Sequence, residues 1–148
     1  MGKLYIAYGS NLNLAQMSIR CPTATIYASG ILKGWEIVYR GEPTNSYATI
    51  QKKENSNIPV LIWNIQDADE QALDIYENFP ILYNKEIIEV ESNGINIKGM
   101  IYIMNQNEKP GKPSISYIET IRQGYLDNSF DLEYFEKTLE TNLNELNK

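Results

Sequence analysis

Between residues 24 and 66 the chain carries the apolar runs TIYASGIL, WEIVYR, YATIQKK and VLIWNI, and nothing of helix length separates them. Gly34, then GEPTNS at 41–46, then ENSNIP at 54–59 stand between them as turn-type residues. Parallel strands need a crossover of a dozen residues or more, so strands joined by such short pieces pair antiparallel. This region therefore predicts a mainly antiparallel sheet, with four strands broken at those three places.

The flanking segments fit the same sheet. KLYIAY at 3–8 is short, apolar and bounded by Gly9, as a buried strand should be. YNKEIIEVE and INIKGMIYIM flank Ser92-Asn93-Gly94, and Asn-Gly supplies the positive φ of a tight hairpin. Helices are expected at the remaining positions. Asn13 to Gln16 reads as a capping box, with Asn13 capping the amides and Gln16 reaching back, and the helix ends before Pro22. Asp67 opens a second helix with Glu70 at its third position, through Leu73 and Tyr76 to the break ENFP at 77–80. Ser116 to Glu119 reads as a third capping box, with Gly124 as that helix's C-terminal cap. Leu132, Phe135, Leu139, Leu143 and Leu146 recur at helical spacing and predict a buried stripe on a last helix. The whole reads as one α+β domain over residues 1–148: a mainly antiparallel, barrel-like sheet with flanking helices.

Composition narrows the chemistry. The chain has 148 residues, 11 Tyr, one Cys and no His. Without His there is no Ser-His-Asp or Cys-His catalysis and no His-ligated metal. Cys21 alone can form no intramolecular disulfide, and it reads as a small buried residue beside Pro22. A net charge of −6 argues against a general nucleic-acid or anionic-membrane surface. No apolar run is long enough to span a bilayer as a helix, and a cytoplasmic location is expected.

Acid–base work must then fall to carboxylates, Lys, Tyr or Cys. Most of the acidic residues read as solvated or capping groups: Glu133, Glu136, Glu140 and Glu145 lie off the apolar stripe of the last helix. Glu77 differs. It ends a helix, facing the negative end of the dipole, between Tyr76 and Phe79. Burial and dipole both disfavour its charged form and raise its pKa toward neutrality. By these features alone the plainer reading is a surface Glu on a frayed helix end, since many helix ends carry such residues. YGSNLN at 8–13 is similarly double. It is a strand-to-helix turn with Gly for positive φ, or a cavity in which the amides of Gly9, Ser10, Asn11 and Leu12 bind a carboxylate or a developing oxyanion.

Together these motifs carry a resemblance. YGSNL, the strand Ala48-Thr49-Ile50, LDIYE at 73–77, Tyr83 before EIIEV, and Pro113-Ser114-x-x-Tyr117 follow in the order of the gamma-glutamylcyclotransferase-like family. The likeness spans roughly residues 4–135. It implies cofactor-free cyclisation of a γ-glutamyl group to 5-oxoproline, with release of an amine or amino acid. By resemblance Glu77 is the general base and then acid. Tyr8 and the backbone of Gly9, Ser10, Asn11 and Leu12 form the glutamyl cavity, and Tyr83 and Tyr117 are hydroxyl partners. The implied partner is a small γ-glutamyl substrate; neither a metal nor any other cofactor is implied. Two departures stand out: Asn78 where the family often has Gly after the Glu, and Ile62 where it often has Gly in the preceding strand. A non-catalytic module binding a small carboxylate in the same cavity remains the alternative.

Overall fold

The computed structural model describes residues 2–148 and contains five strands and four α-helices. In chain order these are β1 (Lys3–Ala7), a 3-10 turn (Ser10–Leu12), α1 (Leu14–Arg20), β2 (Thr25–Glu42), β3 (Asn45–Ile65), α2 (Asp67–Tyr76), β4 (Tyr83–Ser92), β5 (Ile95–Met104), α3 (Ile115–Asp127) and α4 (Leu132–Leu146). The strands close into a barrel in the order β1-β3-β2-β4-β5. Every pairing is antiparallel except β1 with β5, which meet in parallel at Tyr5 and Met100. The barrel-like α+β architecture expected from the sequence is the one observed.

The strand count differs. Two long strands stand where four were expected, and only GEPTNS makes a turn. At Gly34 the register between β2 and β3 shifts by three residues, from Lys33 opposite Asn57 to Trp35 opposite Lys52, and both strands continue. ENSNIP likewise lies inside β3. Gly34 takes φ 84° and Asn55 takes φ 65°. Positive φ serves a bulge as well as it serves a turn, so the local signal was correct and its consequence was not.

The caps also moved. Asn13 does cap α1, accepting from Gln16 N–H at 3.0 Å, but the Gln16 amide turns to Thr120 and Arg20 instead of reaching back. The cap of α2 is Gln66, whose N–H donates to Asp69 at 2.9 Å, one residue earlier than expected. Ser114 caps α3, accepting from Tyr117 N–H, two residues before Ser116. Gly124 lies within α3, buried against the 3-10 turn. A Cβ there would meet Leu12 Cβ at 2.7 Å and Asn13 N at 2.9 Å, so close approach, not capping, requires glycine. The α4 stripe is buried at Phe135 and fades to exposed Leu143 and Leu146.

The core fills the barrel with Ile6, Leu32, Ile58, Val60, Ile62, Ile65 and Ile101, and continues under the helices through Leu12, Met17, Leu73, Tyr125 and Phe135. Cys21 is buried there, as expected. No described helix is long and apolar enough to cross a membrane.

Candidate functional site

The site is built where β1 ends. Its strand delivers Tyr8, and Gly9 leads into the 3-10 turn. Leu12 N–H donates to Gly9 O at 3.0 Å and Asn13 N–H to Ser10 O at 3.1 Å. Gly9, Ser10 and Asn11 precede the first of these bonds, so their amides are the ones the turn leaves over. Leu12 is different: its amide is used within the turn and its side chain is fully buried against Gly124, so its expected place in the cavity is corrected. Gly9 also departs from expectation, with φ −127° in place of a positive value. Its bare Cα faces Ala48 and the Tyr117 hydroxyl.

Glu77 arrives from the opposite side, at the end of α2. Asn78 takes φ 52°, its N–H donates to Ile75 O, and Phe79 N–H donates to Asp74 O. That pair of bonds is a Schellman ending, so Asn replaces the family's glycine without loss of the turn. Charges clamp α2 to the barrel. Glu70 pairs with Lys3 and Lys85, each at 2.7 Å, and Lys85 also pairs with Asp74 at 2.8 Å. Asp74 in turn accepts from the Tyr102 hydroxyl at 2.6 Å. This network holds the helix so that its last residue opens onto the 3-10 turn.

The two halves meet in one cavity. Tyr8, Gly9, Ser10 and Asn11 line one side, and Glu77, Tyr83 and Tyr117 line the other. Tyr5, Ala48 and Tyr102 complete it, and the sequence had singled out neither Tyr5 nor Tyr102. Ser10, Glu77, Tyr83 and Tyr117 are shared with an adjoining outer cleft, walled by Tyr47, Tyr76 and Leu82. Ile62 lies in the barrel core and leaves the cavity unaffected.

Among the lining residues Glu77 is the one charged group. Burial pushes its pKa up to about 7, and the nearby Arg20 cation offsets part of that rise. Arg20 lies 3.5 Å above the Tyr76 ring and donates to Asn11 Oδ1 and, at 2.9 Å, to Gln16 Oε1. The phenols stay protonated: burial raises Tyr5, Tyr8, Tyr83 and Tyr117 above the ordinary tyrosine range. The cavity thus offers one proton acceptor poised near neutrality, spare backbone amides and neutral hydroxyls.

The comparisons agree with this architecture. The family model described as "Gamma-glutamyl cyclotransferase, AIG2-like" matches residues 5–120. A human protein named gamma-glutamylcyclotransferase is 28% identical over 145 residues, covering 90% of this chain and 76% of its own. The bovine protein of that name is 26% identical over 143 residues, with the same shares covered. A solved gamma-glutamyl cyclotransferase structure superposes with a TM-score of 0.82 at 25% identity, over 93% of this chain and 86% of the other. The chain belongs to the gamma-glutamyl cyclotransferase, AIG2-like family.

Proposed function

We infer that the protein is a cyclotransferase that closes a γ-glutamyl group to 5-oxoproline and releases the attached amine or amino acid. The observation that carries this reading is Glu77, with a pKa near 7, on the same cavity as the amides before the 3-10 turn. Glu77 takes a proton from the substrate's α-ammonium, and the freed lone pair attacks the γ-carbonyl carbon. A carbon–nitrogen bond forms and the carbonyl oxygen becomes an oxyanion, met by amide and hydroxyl donors. The old carbon–nitrogen bond then breaks as Glu77 passes its proton to the departing nitrogen. The ring nitrogen sheds its remaining extra proton, and the amine leaves as ammonium.

A base of pKa near 7 suits this two-way traffic, because it accepts and returns a proton at similar cost. Holding the glutamyl chain curled brings amine and carbonyl together, a contribution of up to ~7–11 kcal/mol in well-oriented intramolecular reactions. The reaction is an acyl transfer within one molecule, formally a lyase-like cyclisation.

The test is release of 5-oxoproline from a panel of γ-glutamyl dipeptides and γ-glutamyl amines. Glu77→Gln should fold normally and lose at least a hundredfold in rate. Calorimetric binding of 5-oxoproline without turnover of any substrate would replace the enzyme with a carboxylate-binding module.

A further inference from the structure

Five phenols line the cavity; Tyr102 donates to Asp74, and the other four sort into two kinds. Tyr8 donates to Tyr102 O at 2.8 Å and Tyr83 donates to Ala48 O at 2.6 Å. A carbonyl oxygen only accepts, so both of these protons are committed to the protein wall. Tyr117 is the reverse. Its oxygen accepts from Ala48 N–H at 3.0 Å, which leaves its own proton for the cavity.

Tyr5 is of the second kind, and its polarity is set from a distance. Its oxygen accepts from Asn11 Nδ2 at 2.8 Å. A carboxamide alone could be turned either way. The other end of this one faces the Arg20 guanidinium, which has donors and no acceptor, so the atom there must be oxygen. Gln16 and the Tyr76 ring hold Arg20, and Trp63 Nε1 donates to the Asn11 carbonyl at 3.1 Å. The chain from Arg20 through Asn11 to Tyr5 therefore runs one way. It ends in a phenolic proton that no acceptor among the described residues takes.

We propose that Tyr5 is a substrate-contacting donor whose proton, turned inward by Arg20 and Asn11, meets an anionic oxygen of the glutamyl group together with Tyr117. That oxygen is the substrate carboxylate or the tetrahedral oxyanion; both are recognised by the same pair of neutral donors. Tyr8 and Tyr83, their protons spent on backbone carbonyls, have none to give that oxygen. This assignment rests on the cyclisation proposed above and adds the residue that sequence reasoning passed over.

Two substitutions test it. Tyr5→Phe removes the donor and leaves the ring. Asn11→Asp keeps the shape and the Arg20 contact but replaces the amide N–H with an oxygen, which draws the Tyr5 proton out of the cavity. Each should lower kcat/KM by about tenfold or more, the usual loss for a hydrogen bond to a charged group. In the Tyr5→Phe background, Asn11→Asp should cost less than threefold, because its effect runs through the missing hydroxyl. A loss expressed in KM and in 5-oxoproline affinity assigns the carboxylate; a loss confined to kcat assigns the oxyanion. Either supports the proposal. Turnover by Tyr5→Phe within twofold of wild type, or full additivity of the two substitutions, overturns it. Wild-type protein that neither turns over a γ-glutamyl substrate nor binds 5-oxoproline overturns the cyclisation itself, and this inference with it.

Discussion

Tyr83 and Tyr117 hold the two polar groups of one residue: Tyr83 donates to Ala48 O at 2.6 Å while Tyr117 accepts from Ala48 N–H at 3.0 Å. Ala48 lies on the outer half of β3, which pairs with β2 on one side and with no strand on the other. The two hydroxyls take the place of the missing strand. They differ in what remains for the cavity, since Tyr83 has spent its proton and Tyr117 has not. Tyr83→Phe should therefore act on stability, costing about 1–3 kcal/mol for an unpaired buried carbonyl. Tyr117→Phe should cost a similar amount and also raise KM or lower kcat by about tenfold. Denaturant titration alongside steady-state kinetics separates the two; equal kinetic losses would remove the distinction.

Gly124→Ala sets two effects against each other. Alanine gains about 1 kcal/mol of helix propensity over glycine in the middle of α3. Its Cβ, however, would stand 2.7 Å from Leu12 Cβ and 2.8 Å from Leu12 C, and the latter is backbone that cannot swing aside. Overpacking of this kind costs about 1–3 kcal/mol, so the substitution should lower the melting temperature despite the better helix former. Because Leu12 closes the turn that carries Ser10 and Asn11, substrate affinity should fall as well. A variant as stable as wild type, with an unchanged KM, would mean that α3 simply moves away.

These contacts mark where the sequence was legible. Hairpin and barrel followed from spacing, because Asn93 and Gly94 adopt φ 51° and 78° whatever surrounds them. The site's two halves were legible as motifs, since each is a local turn with an unusual ending. Bulges were not, because Gly34 and Asn55 look the same in a bulge as in a turn. Caps slipped by one or two residues where neighbours such as Gln66 and Asp67, or Ser114 and Ser116, compete for one role. Tyr5 was out of reach for another reason. Among 11 tyrosines, its role is decided by a doubled-back turn and by Arg20, nine residues beyond Asn11. No periodicity encodes that relay.

The acid limb of the rate profile reports on Glu77. As the base it must be ionised, so kcat/KM should fall tenfold per unit below a pKa of about 7 and level off above it. Arg20 is the cation that opposes the rise caused by burial. Arg20→Met should move the limb to higher pH, whatever it does to the plateau. An acid limb near the ordinary carboxylate value of 4.5 would show that burial does not set this group's proton affinity, and a limb that Arg20→Met leaves in place would remove the offset assigned to Arg20.

The same group makes a prediction about folding. Burial raises the Glu77 pKa from 4.5 to about 7 in the folded chain, so the folded state holds this proton more tightly than the unfolded state. Below pH 4.5 both states are protonated and the group's favourable contribution is fully present. Between 4.5 and 7 the unfolded chain loses the proton first, and stability drains away as pH rises; above 7 the loss is constant. A shift of this size corresponds to roughly 3 kcal/mol, and solvent reaching the half-buried carboxylate reduces it. Glu70 opposes this trend. For Glu70 burial works the same way, but hydrogen bonds from Lys3 and Lys85 outweigh it and pull its pKa down. The difference between wild type and Glu77→Gln isolates the Glu77 contribution. Glu77→Gln should be about as stable as wild type at pH 4.5 and more stable by about 1–3 kcal/mol at pH 8. Urea titrations at the two pH values decide it, and a variant that gains nothing at pH 8 would place the Glu77 carboxylate in water.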